Sequence, residues 1–253
     1  MDVISVDIGN SAIKLGIPDQ ETQLKRVRVE VDGDTQFQDQ LPDRYCFWSI
    51  CSVNQKKSTW LVDWISHHRP DDAFYLLQAD DVPLKSNVES RQLLGRDRLV
   101  AAWQASTLFD DGKELVIVDA GTAVTIDKVD TDGVFQGGVI FPGAGSSLKL
   151  LSRSTSNLPD FSQHQLSIDS IAAEPIGKNT EFAILRGVYQ SQMSALTTIV
   201  NNISADCHVV ATGGEIEFMQ QRLPDHWHVE PYLVLQGAHE LGIRQFSKQP
   251  HKQ

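Results

Sequence analysis

The chain has 253 residues, of which 41% are hydrophobic and 22% charged, a composition typical of a soluble globular protein with one large domain or two moderate ones. Lysine and arginine total 22 against 33 aspartates and glutamates, and the net charge of −11 argues against nucleic-acid binding, which favours basic surfaces. The three cysteines form no C-x-x-C pair, no apolar run approaches the ~18 residues of a membrane span, and the first residues lack the charged and apolar regions that a signal peptide is expected to have. We therefore expect a reduced, cytoplasmic protein without a membrane contact.

The first predicted elements are a strand over residues 2–8 and a returning strand over residues 13–17, joined by a turn. The turn carries residue types that suit a nucleotide phosphate. Gly9 allows a positive φ and a close approach of its N–H, and Asn10 and Ser11 add neutral hydrogen-bond donors. The sequence thus predicts a candidate phosphate-binding turn.

An acid and a lysine flank this turn. Asp7 lies where the first strand ends, and its carboxylate could hold a metal ion or the waters of one, because hard cations select oxygen ligands. Lys14 follows seven residues later on the returning strand, and this odd spacing predicts a side chain on the face opposite Asp7. A role for Lys14 would then depend on the bend of the turn or on the reach of its long side chain.

Further strands and a helix follow in the first third of the chain. Alternating residues predict a strand over residues 24–31, in a meander with one solvated face. An apolar strand is predicted from Tyr45 to Val53, then a helix around residues 61–65 that ends before Pro70, and a short strand from Phe74 to Leu77.

A second polar cluster begins at Gly95. The residues from Asp97 to Leu108 have helical periodicity, so Gly95 provides a tight entry and Asp97 lies at or near the helix start. Arg96 and Arg98 flank this acid, and two arginines at a helix start could recognise an anion. The alternative is an N-cap aspartate with two solvated arginines, and the residues alone leave both interpretations open.

The centre of the chain repeats the opening pattern. A buried strand runs into Asp119, Gly121 and Thr122, and β-branched residues resume at once. One Asp-x-Gly turn between strands is usually only a turn. Two copies with matching flanks favour a shared function, which we take to be binding of one triphosphate from two sides.

The second half of the chain continues with a strand and two helices. A strand with a Gly/Pro corner ends at Gly143, a helix is predicted over residues 144–154, and residues 155–177 are expected to be irregular. The longest helix begins at Asn179 or Thr180, with Thr180 simplest as its cap. Its apolar stripe could be buried or could form a subunit interface; the stripe comprises Phe182, Leu185, Tyr189, Met193, Leu196 and Val200.

Motifs of other nucleotide-binding and metal-binding classes are absent from the sequence. There is no G-x-x-x-x-G-K-[ST], no G-x-G-x-x-G and no His/Cys cluster with zinc spacing. A buried strand over residues 209–211 instead leads into the Gly213-Gly214 turn and a helix, and such a turn can lie against a flat purine ring.

Together these motifs resemble the type III pantothenate kinases of the acetate and sugar kinase, Hsc70 and actin superfamily. The motifs are Asp7 to Lys14, Gly95 to Arg98, Asp119 to Ala123, Gly137 to Gly143, Gly177 to Thr180 and Ala211 to Gly214. The resemblance implies an α/β fold of two actin-like (ribonuclease H-like) domains, each a mixed sheet flanked by helices, with an interdomain cleft. We place the domains at residues 1–112 and 113–253. It also implies a homodimer that phosphorylates pantothenate with ATP, the first step towards coenzyme A.

The resemblance further implies a role for each matching residue. The first phosphate-binding segment would comprise Asp7, Ile8, Gly9, Asn10, Ser11, Ala12, Ile13 and Lys14, with Thr122 as a second ATP contact. Asp119 would bind a monovalent cation, K⁺ or NH₄⁺, and Mg²⁺ would accompany the nucleotide. Pantothenate would contact Gly95, Arg96, Asp97 and Arg98, with Asp97 as the general base, and Thr180 across the dimer interface.

Three residues depart from the family pattern, and one of them, Ser11 in place of threonine, keeps the hydroxyl. Val88 stands where the family commonly has a tyrosine, which leaves one substrate contact in question. Arg96 replaces a usually small residue and adds a cation beside Asp97. Two other functions therefore stay open: another small-molecule kinase of the sugar type on the same scaffold, and a non-catalytic nucleotide-binding regulator.

Overall fold

A computed structural model describes residues 2–19, 24–29, 36–109, 111–162, 176–219 and 222–248. The chain divides into two compact units, Met1–Phe109 with Tyr232–Gln253, and Asp110–Pro231. None of the helices in the described part of the chain is long and apolar enough to cross a membrane.

The secondary structure follows in chain order. The strands are β1 (Asp2–Ile8), β2 (Ile13–Pro18), β3 (Leu24–Val29), β4 (Cys46–Ser52), β5 (Ala73–Leu76), β6 (Lys85–Ser86), β7 (Glu114–Ala120), β8 (Ala123–Val129), β9 (Val134–Pro142), β10 (Cys207–Thr212) and β11 (His228–Val229). The α-helices are α1 (Gln55–His68), α2 (Arg96–Ser106), α3 (Ala144–Ser154), α4 (Thr180–Ile203), α5 (Gly214–Met219) and α6 (Leu233–Phe246). Short 3-10 helices lie at Gln36–Gln40, Ala79–Asp81 and Arg91–Leu93.

The first unit is built on a mixed sheet with the strand order β3-β2-β1-β4-β5. β1, β2 and β3 form an antiparallel meander, whereas β4 and β5 run parallel to β1. The predicted strands are confirmed to within a residue or two at their ends, and residues 30 and 31 of the predicted third strand lie outside the described residues.

The second unit repeats this topology. Its strands have the order β9-β8-β7-β10-β11, with β7, β8 and β9 antiparallel and β10 and β11 parallel to β7. The duplicated turns therefore occupy equivalent places, because each follows the central strand of its sheet. The predicted α/β fold with two mixed sheets flanked by helices is confirmed.

The central strands are buried because both faces of the first sheet are covered. Every residue of β1 and β4 is buried, as expected for strands with helices on both faces. α1 packs on one face through Leu61, Trp64 and Ile65. On the other face α6 lies so close that a Cβ at Gly242 would be 2.7 Å from Val3 Cγ1.

The place of α6 differs from the predicted domain division. The predicted second domain, 113–253, included this helix, but residues 232–253 belong to the first compact unit. The hydroxyl of Ser49 on β4 donates to the carbonyl oxygen of Ala238 at 2.6 Å, which ties α6 to the first sheet. The buried face of α6 consists mainly of Leu233, Val234, Leu235, Ala238 and Leu241.

The N-cap of the long helix α4 lies one residue earlier than predicted. Asn179, not Thr180, is the N-cap, since its Oδ1 accepts the N–H of Phe182 at 2.8 Å. The helix packs on the second sheet through Leu196 and Val200, while Tyr189 and several other members of the predicted stripe are only half-buried. Of the segment predicted to be irregular, residues 163–175 lie outside the described residues.

Candidate functional site

The first candidate turn is a tight hairpin closed by its own backbone. The N–H of Gly9 donates to the carbonyl oxygen of Ala12 at 3.0 Å, so this N–H is used inside the hairpin and not held open for a ligand. The expected positive φ at Gly9 and at the equivalent Gly121 is wrong, because neither lies in the left-handed region. Asn10 and Ser11 are exposed at the tip.

The rest of this segment anchors the tip in the core. Ile8, Ala12 and Ile13 are buried, so only their backbone could contact a nucleotide. α1 supports the tip from the side: Lys57 Nζ donates to the carbonyl oxygen of Asn10 at 2.8 Å, and Asn54 Nδ2 donates to Asn10 Oδ1 at 3.3 Å. No local pattern indicates a role for Lys57, because its contact depends on how α1 packs beside the hairpin.

Asp7 and Lys14 lie on the same face, contrary to the prediction. They are direct partners in the antiparallel register of β1 and β2, and Lys14 Nζ lies 3.0 Å from Asp7 Oδ2. Residues an odd number of positions apart point to opposite faces only when they lie on the same strand. Between the two strands of a hairpin, the register decides which residues lie side by side on one face. Lys14 therefore offsets the charge of Asp7 directly and places a cation beside the candidate phosphate-binding turn.

The Gly95 cluster forms the start of α2. Gly95 is the N-cap without a side-chain bond, and Asp97 is the second helical residue. Asp97 Oδ1 accepts the N–H of Arg98 at 2.8 Å. A Cβ at Gly95 would lie 2.5 Å from Asp97 Oδ1, so the absence of a side chain at this position makes room for the carboxylate.

The start of α2 and the first turn belong to the same corner of the first unit. β1 and β4 end side by side, with Ile8 opposite Ser52, and Arg96 Nη1 donates to the carbonyl oxygen of Ser52 at 3.3 Å. Burial raises the pKa of the Cys51 thiol on β4, and the nearby carboxylates of Asp97 and Asp7 raise it further. Asp7 and Asp97 therefore both lie near enough to Cys51 to affect the pKa of its thiol.

The second candidate turn has the same construction. The N–H of Gly121 donates to the carbonyl oxygen of Ala123 at 3.1 Å, and Asp119 faces Thr125 in the register of β7 and β8. The exposed Thr122 receives two hydrogen bonds at its carbonyl oxygen, from the N–H of Gly143 at 3.1 Å and from Ser146 Oγ at 2.6 Å.

The Gly213-Gly214 turn packs against this second turn. Gly213 has φ +98°, and a Cβ there would lie 2.3 Å from the carbonyl oxygen of Ala120 and 2.4 Å from Asp119 Oδ1. Both the backbone conformation and the close approach require glycine. The side chain of Asp119 is thereby fixed beside the Gly213-Gly214 turn, whose residues could lie against a purine ring.

Thr180 lies apart from these turns within the second unit. It is exposed in the first turn of α4 and lines a pocket with Leu158, Lys178, Asn179 and Ala183. The pocket lies at the start of α4, and the contact of Thr180 with pantothenate stays a prediction.

The oxygen donors at the two turns fit hard cations without forming a complete protein cage. Across the described residues, no group of three or more His, Cys, Asp or Glu could hold a metal ion. A single carboxylate at each turn, Asp7 or Asp119, suits a cation that takes its other ligands from phosphate, backbone carbonyls or water.

Comparisons with known proteins show what the chain is similar to. The sequence model described as type III pantothenate kinase matches residues 3–202. A type III pantothenate kinase from Persephonella marina is 27% identical over 94% of this chain and 97% of its own length. A Baf family protein from Campylobacter jejuni has a solved structure that matches 98% of this chain and 100% of its own, with a TM-score of 0.62 and 21% identity.

A second solved structure shows a likeness of fold alone. It is the activator of 2-hydroxyisocaproyl-CoA dehydratase from Clostridium difficile with bound ADPNP. It matches 100% of both chains with a TM-score of 0.53 and 13% sequence identity.

Proposed function

Because the chain belongs to the type III pantothenate kinase family, we propose that it transfers the γ-phosphoryl group of ATP to the primary hydroxyl of pantothenate, with Asp97 as the general base. The product is 4′-phosphopantothenate, in the first step of coenzyme A biosynthesis. The observation that supports the role of Asp97 is its place at the start of α2, in the same corner of the first unit as the Asp7 hairpin.

The reaction requires Asp97 mainly to orient the substrate hydroxyl. Phosphoryl transfer depends mainly on positioning and charge neutralisation, and the carboxylate accepts the hydroxyl proton late. The substrate oxygen forms a bond to the γ-phosphorus, the bond from this phosphorus to the β,γ-bridging oxygen breaks, and ADP leaves with that electron pair. The N–H of Arg98 donates to Asp97 Oδ1 at 2.8 Å, which holds the carboxylate at the start of α2.

Arg98 and Arg96 supply the cations for the pantothenate end. A planar guanidinium can recognise both oxygens of the substrate carboxylate, and we assign this contact to Arg98. Arg96 instead donates to Ser52 and to Gln78 Oε1, both at 3.3 Å, so it braces the start of α2 against the end of β4.

The phosphate end uses the two hairpins. Residues 7–14 and Thr122 would bind the ATP phosphates, with Lys14 as the cation of the first hairpin. Asp7 would hold Mg²⁺ through its waters, and Asp119 would hold K⁺ or NH₄⁺, because each turn offers one carboxylate and hard cations select oxygen ligands. When bound, these cations would offset the negative charge of the triphosphate.

We also propose a homodimer in which Thr180 contacts the pantothenate of the partner subunit. Thr180 is exposed and lines a pocket at the start of α4, which leaves it accessible to another copy of the chain. The half-buried apolar residues of α4, among them Phe182 and Ile184, offer the interface. Light scattering after size exclusion would measure the mass, and a monomer would contradict this assignment.

The test of the kinase assignment is the variant Asp97→Asn in an ADP-release assay with ATP, K⁺ and pantothenate. We expect kcat to fall by about 10² to 10⁴, the range for loss of a general base. The affinity for ATP, measured by calorimetry, should stay within about twofold, because a carboxamide has the same shape. Asp43→Asn, at an exposed position of the same unit, is the matched control. A variant at Asp97 with wild-type kcat would remove this residue from the role of base.

One observation favours a second function. The half-buried Val88 lacks the hydroxyl that the family commonly places before the Gly95 cluster, so the acceptor could be another small alcohol. A panel of pantothenate and sugars with ATP distinguishes the two functions, since a sugar with the higher kcat/KM would identify a sugar-type kinase.

A further inference from the structure

Glu215 makes a contact that none of the sequence motifs explains. It lies in the first turn of α5, directly after the Gly213-Gly214 turn. Its carboxylate accepts two backbone N–H groups at the start of α3: that of Ala144 at 2.9 Å to Oε2, and that of Gly145 at 3.0 Å to Oε1. The side chain therefore joins two helices that are 70 residues apart in sequence.

This contact replaces a missing helix cap. The first N–H groups of a helix have no partner within the helix, and a side chain at the N-cap commonly accepts one of them. The N-cap of α3 is Gly143, which has no side chain to do so. A carboxylate at a helix N-terminus is stabilised by the helix dipole as well as by the hydrogen bonds, so Glu215 serves as the cap from outside the helix.

Glycine at position 143 is itself imposed by the neighbouring turn. A Cβ at Gly143 would lie in contact with the carbonyl oxygen of Gly121 at 1.9 Å, and 3.0 Å from Glu215 Oε2. The close packing that excludes a side chain at Gly143 thus also creates the need for a cap from another element.

The capped turn of α3 holds Thr122. The N–H of Gly143 and the hydroxyl of Ser146 both donate to the carbonyl oxygen of Thr122. On the other side, Gly213 packs against Ala120 and Asp119. The second phosphate-binding turn is therefore held between two segments, and the carboxylate of Glu215 links those segments to each other.

We infer that Glu215 is a positioning residue for nucleotide binding: it fixes the start of α3 against the Gly213-Gly214 turn and so sets the position of Thr122. This role rests on the proposed ATP contact of Thr122. Loss of Glu215 should weaken binding of the nucleotide and leave the Gly95 to Arg98 cluster of the first unit unchanged, because Glu215 acts within the second unit.

The test compares Glu215→Gln, Glu215→Leu and the wild type in calorimetric titrations with a non-hydrolysable ATP analogue, followed by steady-state kinetics. Glutamine keeps one acceptor oxygen, so we expect the Kd for the analogue to rise about threefold. Leucine removes both hydrogen bonds to the charged group, and we expect a rise of about tenfold or more. The KM for ATP should follow the Kd, while the KM for pantothenate stays within about twofold.

Asp130→Asn is the matched control for a merely structural effect. Asp130 is also a half-buried carboxylate of the second unit, and its Oδ1 accepts the N–H groups of Asp132 at 3.0 Å and Val134 at 2.9 Å in the turn before β9. We expect this variant to lose stability without a change in nucleotide affinity. An equal rise in Kd for Asp130→Asn, or a Kd within twofold of wild type for Glu215→Gln and Glu215→Leu, would overturn the role of Glu215.

The two assignments fail in different ways. The titration contains no pantothenate, so a kinase for another alcohol would still show the effect of Glu215. A wild-type enzyme that binds the analogue but does not phosphorylate pantothenate contradicts the proposed substrate alone. If Glu215→Leu does not fold, the difference in Kd for the analogue between wild type and Glu215→Gln tests the role of Glu215 by itself.

Discussion

Lys14 and Asp7 face each other across the first hairpin, with Lys14 Nζ 3.0 Å from Asp7 Oδ2. The carboxylate is almost buried, with 11% of its side chain exposed, whereas the lysine side chain is 32% exposed. The acid that the phosphate turn offers to a cation is thus already paired within the protein.

The first prediction concerns the stability of this pair. Lys14→Met leaves the Asp7 carboxylate in a buried place without this cation, so we expect the free energy of unfolding to fall by about 1 kcal/mol. In the double variant Asp7→Asn/Lys14→Met the loss should be smaller than the sum of the two single losses, by about 0.5 kcal/mol or more. Urea unfolding without nucleotide measures all four proteins. Additive losses would show that the two side chains do not interact.

The register of this hairpin could not be predicted from the sequence. The residue pattern predicted both strands and the turn, because β-branched residues and a glycine mark them. It did not predict that Asp7 faces Lys14, since the pairing depends on how many residues the loop takes between Ile8 and Ile13. The number of residues between two positions does not show which residues pair across a turn.

Long-range contacts account for the other differences. The start of α3 at Ala144 was predicted correctly, because a Gly/Pro corner precedes it. Nothing local to residues 233–246 indicates that α6 packs on the first sheet, since an apolar helix face fits either sheet. The contact of Glu215 with Ala144 was missed for the same reason: an acid after a Gly-Gly turn looks solvated until the fold brings α3 beside it.

The second prediction concerns the space that Gly95 leaves open for the Asp97 carboxylate. In Gly95→Ala the new Cβ would lie 2.5 Å from Asp97 Oδ1, so the carboxylate must move. A displacement of about 1 Å can lower a rate about 10²-fold, and we expect a loss of that size in kcat with an unchanged Kd for ATP. Gly187→Ala on α4 is the control, because nothing lies within 4 Å of its Cβ. Wild-type kcat in Gly95→Ala would show that the orientation of Asp97 is not critical.

The third prediction concerns pH and His239 on α6. Burial lowers the pKa of His239 below its ordinary value of 6.5, and its Nδ1 lies 3.0 Å from the carbonyl oxygen of Val3. The unfolded chain therefore takes up this proton more readily than the folded one. The stability that the neutral ring contributes is complete above pH 6.5 and is lost as the pH falls from 6.5 towards the lower pKa of the folded state.

Urea unfolding at a series of pH values between 8 and 5 measures this loss. His239→Gln cannot titrate, so the variant should lose less stability than the wild type over the same interval, although it starts lower at pH 8. Parallel pH profiles for the two proteins would assign the acid sensitivity to other groups.

The fourth prediction concerns the monovalent-cation site that we propose at Asp119. Gly213 packs against this carboxylate and fixes it beside the second turn, so removal of its charge should affect the cation more than the fold. In Asp119→Asn we expect the K⁺ concentration for half-maximal activity to rise at least about tenfold, which corresponds to about 1.4 kcal/mol. Activity is measured with K⁺ titrated against Na⁺ at constant ionic strength. Asp132→Asn, an exposed acid in the turn before β9, should keep the wild-type K⁺ dependence. The same half-maximal concentration in Asp119→Asn and wild type would place the cation elsewhere.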